Sequence, residues 1–391
     1  MEVKEMAKSL ESHVIEIRRR MHQHPELSSF EYQTSKLVKE TLENRGFEIS
    51  SEVGGTGVVA LLRGKHPGKT IGLRADMDAL PISEQTDLAF SSETADVMHA
   101  CGHDFHTSIL LGTALILSEC RDQLRDNVKF IFQPAEENMS GAQSMIAAGV
   151  LQNPRVDALV CLHCWPPLPA GTIGVRKGPI MAASDFFNIN IKGTGGHAAH
   201  PHKSTDPVPI AGHVVTALQH IVSREVAPLD PAVVTVGQIN GGSARNVIAQ
   251  DVEMSGTVRT TDPGTRREIP DIMKRIVSKT AESMNGEADI QYHKGSPSLV
   301  NDDDLVDLLE DTVTSALGKE YFHELKEPSL GGEDFAFYLD HVPGMLFRLG
   351  TNNGTEASKL PLHNPGVIFD EAALVPGMTA MSELALRYLK G

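Results

Sequence analysis

The chain has 391 residues, long enough for more than one hydrophobic core, since single cores rarely grow past roughly 250–300 residues. Its 51 acidic and 35 basic residues leave a formal charge of −16, a field that repels nucleic acid and anionic membranes, and no apolar run approaches the roughly 20 residues of a membrane helix. Four cysteines do not make a disulfide framework, and the charged opening Met1-Glu2-Val3-Lys4-Glu5 lacks the apolar core of a secretory signal, so a cytoplasmic location is expected.

In chain order, the first stretch reads as two helices. Ser29 can cap the second, and Phe30, Leu37, Val38 and Leu42 recur at helical spacing before Gly46 ends it. Apolar runs at 58–62, 70–73, 128–132 and 158–162 then read as buried strands, with helices at 106–120 and 141–149 between them. That alternation predicts an α/β domain with a largely parallel sheet and helices on both faces. Near residue 182 the pattern changes. Residues 186–191 alternate polar and apolar, followed by a helix at 208–224, strands at 233–239 and 252–259, a helix at 265–284 and a strand at 288–292. Two strand-helix-strand units with clear alternation predict an α+β (ferredoxin-like) layer with one exposed sheet face. From about 297 the chain returns to helix, an apolar strand at 345–349 and a terminal helix. The expected organisation is therefore one domain from 1–181 and 295–391, interrupted by a second at 182–294.

Metal-ligand chemistry concentrates in Arg74-Ala75-Asp76-Met77-Asp78, His99-Ala100-Cys101-Gly102-His103-Asp104, Gln133-Pro134-Ala135-Glu136-Glu137, Leu162-His163 and, far downstream, Pro361-Leu362-His363-Asn364-Pro365. Asp76, the glutamate pair and His163 follow expected strands, whose carboxyl ends line the ligand crevice of an open α/β sheet. Each motif alone is weak. One histidine among 17 is usually structural, and adjacent glutamates usually form a solvated face. Here the glutamates follow an apolar strand and a proline, and Cys101-Gly102-His103 sets a thiol and an imidazole around a glycine that permits close backbone approach. Together the motifs favour a metal site. Cys161-Leu162-His163-Cys164 also admits a redox reading, but a redox pair normally opens a helix, and no second C-x-x-C completes a structural zinc site.

With these residues in place the chain resembles the co-catalytic metallopeptidase clan that holds aminoacylases and glutamate carboxypeptidases. Within it the chain is most similar to the amidohydrolase branch of hippurate hydrolases, indole-acetyl-amino-acid hydrolases and N-acetyl-diaminopimelate deacetylases. The resemblance runs from Met21-His22-Gln23-His24-Pro25-Glu26-Leu27, through 74–81 and 99–104, to Gly366-Val367-Ile368-Phe369-Asp370. It implies that Cys101, His103, Glu137, His163 and His363 hold two divalent ions, with Cys101 bridging, and that Glu136 is the general base. Where the clan has His-x-Asp this chain has Asp76-Met77-Asp78, which leaves His103 to supply the imidazole and Asp78 to orient a ligand histidine. The inserted segment resembles the clan's lid and dimerisation domain, and implies a homodimer or dimer-based tetramer. Its Gly195-Gly196-His197-Ala198 matches the motif whose histidine reaches the active site, often from the partner subunit; Asn246 and Arg259 match positions that bind a substrate carboxylate. The branch's usual Pro-Asp after Asn246-Val247-Ile248 is here Ala249-Gln250. Gly331-Gly332-Glu333-Asp334-Phe335 also matches a branch motif, but reads equally well as a turn capping the next helix and is given no catalytic role.

The expected activity is metal-dependent hydrolysis of the amide bond of small N-acyl amino acids, with acetyl, benzoyl or similar acyl groups. The expected roles are Glu136 as base towards water and leaving amine, His197 as oxyanion donor and Arg259 as carboxylate clamp. A thiolate and three imidazoles suit zinc or nickel, while carboxylates and open positions tolerate manganese or cobalt. Two other readings stay open: a metallo-carboxypeptidase or dipeptidase on short peptides, and a non-catalytic binding protein for amino-acid conjugates.

Overall fold

Strands that read as apolar runs build the middle of one sheet of this protein, and strands that alternate build another. The computed structural model describes residues 2–66 and 68–390. The chain folds as two compact units, one running to Gly178 and including Val300–Glu327 and the chain from Asp334 onward, the other Pro179–Leu299 with Pro328–Glu333. Each has its own apolar core. Among the described residues no helix is long and apolar enough to cross a membrane.

The first unit begins with α1 (Val3–Gln23), α2 (Tyr32–Leu42), β1 (Glu48–Val53), β2 (Gly57–Leu62), β3 (Thr70–Asp76), α3 (His103–Glu119), β4 (Asn127–Gln133), α4 (Gly141–Ala147), β5 (Ala158–Pro169) and β6 (Ile173–Val175). The second unit supplies β7 (Ala183–Lys192), α5 (Pro207–His220), β8 (Ala232–Gly241), β9 (Asp251–Thr260), α6 (Pro263–Glu282) and β10 (Glu287–Ser296). The first is completed by α7 (Asp303–Ala316), β11 (Phe322–Glu324), β12 (Gly344–Asn352) and α8 (Leu374–Lys390).

The large sheet has the order β1-β2-β4-β3-β5-β12-β6-β11. Its middle, β4-β3-β5-β12, is parallel, and β3 and β4 are buried at every position, as strands covered on both faces must be. The parallel arrangement points the ends of β3 and β4 the same way, so the loops after Asp76 and Gln133 share one rim. The small sheet, β8-β9-β7-β10, is antiparallel throughout. Buried and open positions alternate along β7, whose inward side chains meet α5 and α6. Asp206 and Asp262 cap α5 and α6 by accepting from Val208 and Thr265 N–H, each followed by a proline suited to the first helical turn.

Three local expectations are corrected. Ser29 does not cap α2: it sits at φ 70°, and the Glu26 carboxylate folds back to accept from Gln33 and Thr34 N–H at 3.0 and 2.9 Å. Phe30 consequently lies outside the helix, 62% exposed, and α2 stops at Leu42, short of Gly46. Strand β5 does not end at Leu162 but continues to Pro169, because β12 runs alongside it and pairs Gly350 with Trp165. His163 is therefore a mid-strand residue.

Candidate metal centre

Backbone geometry brings the motif residues to one place. Gly102 starts α3 at φ 84°, and a Cβ there would lie 3.0 Å from both Cβ and Sγ of Cys164. Only glycine meets both demands, and the turn it makes sets Cys101 and His103 on its two sides. His363, itself at φ 66°, donates its N–H to the Ala100 carbonyl at 2.9 Å, tying a loop far downstream to the Cys101 turn. After β4 the chain turns through Ala135 at φ 55°, whose N–H reaches the buried Glu31 carboxylate at 2.9 Å. That turn presents Glu136 and Glu137.

The ligand atoms then converge. Cys101 Sγ lies 3.5 Å from His163 Nε2 and 3.3 Å from His363 Nε2. Glu137 Oε1 is 3.5 Å from His363 Nε2 and 3.7 Å from His103 Nε2. Cys101, His103 and His163 form one group able to hold an ion, and Cys101, Glu137 and His363 another, so the thiol belongs to both. Glu136, almost wholly buried, places Oε2 4.0 Å from His103 Nε2.

Two of the three candidate imidazoles are aimed from behind. His103 Nδ1 donates to the Asp78 carbonyl at 2.8 Å and approaches its carboxylate at 3.2 Å, while His163 Nδ1 donates to the Cys164 carbonyl at 2.8 Å. With Nδ1 protonated, Nε2 carries the lone pair that a metal needs. Asp78 accepts in addition from Ser28 Oγ at 2.6 Å and Glu137 N–H at 3.0 Å, so one carboxylate orients two of the candidate ligands. His106 is a structural bridge: it donates to Asp76 at 2.6 Å and accepts from Cys164 N–H at 2.8 Å.

The electrostatics of this pocket call for cations. Burial, then the charges of Glu137, Glu136 and Asp76, push the Cys101 thiol well above its ordinary range. Burial, with Asp78 and Asp76 adding to it, lifts Glu137 to about 7 against the attraction of His103. His103 is held up at about 10: burial opposes its charge, but Asp76, Asp78 and Glu137 outweigh it. Among the described residues, His103 Nε2 and Glu137 Oε1 are nonetheless buried without a hydrogen-bond partner. Crowded donors of this kind, two of them orphaned, suit divalent ions better than protons.

The other expected site residues lie in the second unit. A two-stranded ribbon pairs Gly196–His197 with Val247–Ile248, setting His197 opposite Val247 and so next to Asn246. His197 Nδ1 accepts from Ala199 N–H at 3.1 Å, which leaves the proton on Nε2 as an outward donor. Arg259 stands near the far end of β9, paired with Ser184, and burial lowers its pKa against the pull of Asp185. The ribbon joins the sheet at the Lys192–Asp251 end. Within this unit Arg259 is thus separated from the ribbon by most of a strand, about 26 Å. Cys161 and Cys164 sit three apart on β5, on opposite faces, and form no disulfide.

Sequence reasoning missed the residues beneath the pocket. Asp334, given no role beyond a turn, is fully buried and accepts from Arg74, Gln133 and Ala142 N–H. Asp104 pairs with Arg18 at 2.7 Å and His22 at 2.9 Å. The available signal was an arginine inside an apolar strand, which requires a buried carboxylate.

The family description "Peptidase family M20/M25/M40" matches residues 72–387. An N-acyl-L-amino acid amidohydrolase of Geobacillus stearothermophilus is 45% identical, over 78% of this chain and 82% of its own. Thermostable carboxypeptidase 2 of Saccharolobus solfataricus is 40% identical, over 99% and 98%. Among solved structures, a dinuclear metal binding peptidase of the M20 family from Bacillus subtilis superposes with a TM-score of 0.87 at 38% identity, covering 98% of this chain and 99% of that one.

Proposed function

We propose that this chain, which belongs to peptidase family M20/M25/M40, hydrolyses the amide bond of N-acyl amino acids with two divalent metal ions. The observation that carries the reading is the convergence of four candidate ligand side chains on Cys101, with His103 Nε2 and Glu137 Oε1 buried and without a hydrogen-bond partner among the described residues. Cys101, His103, Glu137, His163 and His363 are the residues we assign to the ions, and zinc, manganese, cobalt and nickel all suit that donor set. When bound, the ions supply Lewis acidity towards the scissile carbonyl and lower the pKa of water at the site.

The chain's own residues account for the proton traffic. Glu136 takes the proton of the attacking water on Oε2, the oxygen that faces the ligand atoms, and passes it to the leaving amine. The Arg259 fork takes the substrate carboxylate, while His197 Nε2–H, for the oxyanion of the tetrahedral intermediate, and Asn246, for the carboxylate, lie about 26 Å from Arg259 within one chain and are assigned to act from the partner subunit. Asp78 keeps His103 and Glu137 in register. The second unit is assigned as lid and dimer contact. Phe186, Val208, Val222, Leu229, Ile239 and Val247 are exposed on it and offer apolar side chains for such a contact. A thiolate ligand favours a reducing compartment, and we assign the protein to the cytoplasm.

A metallo-carboxypeptidase is the second reading, favoured by the relative of that name. Metal-replete protein should release amino acid from N-acetyl-methionine faster than from a dipeptide. The reverse ratio selects the carboxypeptidase, and tight binding without amine release selects a binding protein.

A further inference from the structure

Glu136 and Glu137 are neighbours with different tasks, and something must turn one carboxylate to the ligands and the other to water. One contact on Glu136 is a backbone group: Asp334 N–H points at Oε1 at 3.4 Å, and Oε2 lies on the His103 side, 4.0 Å from Nε2. Asp334 is itself clamped from three elements. Its carboxylate accepts from Arg74 Nη2 on β3 at 2.9 Å, from Gln133 Nε2 at the end of β4 at 2.8 and 2.9 Å, and from Ala142 N–H in α4 at 2.8 Å. Arg74 also bonds Gln133 Oε1 at 2.9 Å and Asp76 Oδ2 at 2.6 Å, so the assembly spans the ends of two strands with almost no exposed surface.

We propose that Asp334 is a positioning residue for the general base: its side chain fixes the loop whose N–H orients the Glu136 carboxylate. The inference rests on Glu136 being the base. A buried anion needed only to neutralise Arg74 would not have to present its own N–H to Glu136, and Gln133 would not have to bind both carboxylate oxygens. Misplacing a reacting group by about 1 Å costs on the order of 10² in rate.

The test is steady-state kinetics with metal analysis on Asp334→Asn and on Asp334→Asn combined with Gln133→Glu. The double variant keeps a carboxylate–carboxamide pair beside Arg74 with the partners exchanged. The single variant should lower kcat by about 10–100-fold with KM within about twofold and two ions still bound, and the double variant should recover most of that loss. Unchanged kcat overturns the proposal, and so does a joint fall of kcat, KM and metal content that the double variant does not reverse. Should Asp334→Asn not fold, Gln133→Met, which leaves the Arg74 pair in place, is read the same way: lower kcat at constant KM supports the proposal, unchanged kcat overturns it. Glu136→Ala, measured in parallel, separates the two claims, because full activity there rejects the base assignment itself.

Discussion

Glu136 and Cys101 are assigned different work in one pocket, and substitution separates the two assignments. Glu136 lies at the edge of the ligand cluster, so Glu136→Ala should keep two ions and lose about 10²–10⁴ in turnover, the usual contribution of a general base. Elemental analysis showing fewer ions would move it into the ligand set. Cys101 belongs to both ligand groups, so Cys101→Ala should lower the occupancy of both ions together; full metal content would remove it from the site. The candidate ligands, which the structure gathers in one place, were legible in the sequence because metal-binding side chains are few in kind and most of their motifs follow apolar strands. Asp334 was not, because an acid in a glycine-rich turn looks solvated until its partners, Arg74 and Gln133, arrive from the other end of the chain.

At the scale of elements, the site depends on where α3 starts. Its first residue, His103, is a candidate ligand, and its second, Asp104, is anchored to α1 by Arg18 and His22. Arg18 is also held between the Phe90 and Phe105 rings, 4.7 and 4.9 Å from their centres. Breaking a buried pair by removing one partner costs roughly 3–5 kcal/mol, so Arg18→Ala should lower Tm and loosen metal together. Against the cost of burial, Arg18 and His22 hold Asp104 well below the ordinary carboxylate range. With the folded pKa depressed, its stabilisation is fully present above about pH 4 and lost only as pH falls through the lower folded value. Denaturant midpoints of Asp104→Asn and the unaltered chain should accordingly differ by a constant amount near neutrality and draw together in acid; a gap that does not narrow would show that the pair is not the source. Central strands were readable from their apolar runs. The edge strand β1, Glu-Ile-Ser-Ser-Glu-Val, was not, since it is mostly solvated and held by pairing with β2. The cap of α2 was misread because a carboxylate from before the turn displaced the serine beside it.

For the whole molecule the decisive quantity is the exchange of protons for metal. Without cations the pocket holds protons on His103, Glu137 and Cys101, all three with raised pKa values. Metal must displace them, so affinity should fall as pH drops through about 7 and protons should appear in solution on loading. Calorimetry in buffers of different ionisation enthalpy measures that release, and a pH-independent affinity would contradict it. The two cores were legible as a change of hydrophobic period near residue 182. The placing of the His197 ribbon at the end of the small sheet away from Arg259 was not, since register decides it and no local pattern records register. The most direct test of the five-ligand centre is an anomalous-scattering map of crystals grown with manganese or zinc. Two peaks roughly 3.5–4 Å apart, with Cys101 Sγ between them, His103 and His163 on one and Glu137 and His363 on the other, are the expected result. A single peak, or peaks away from Cys101, would contradict it.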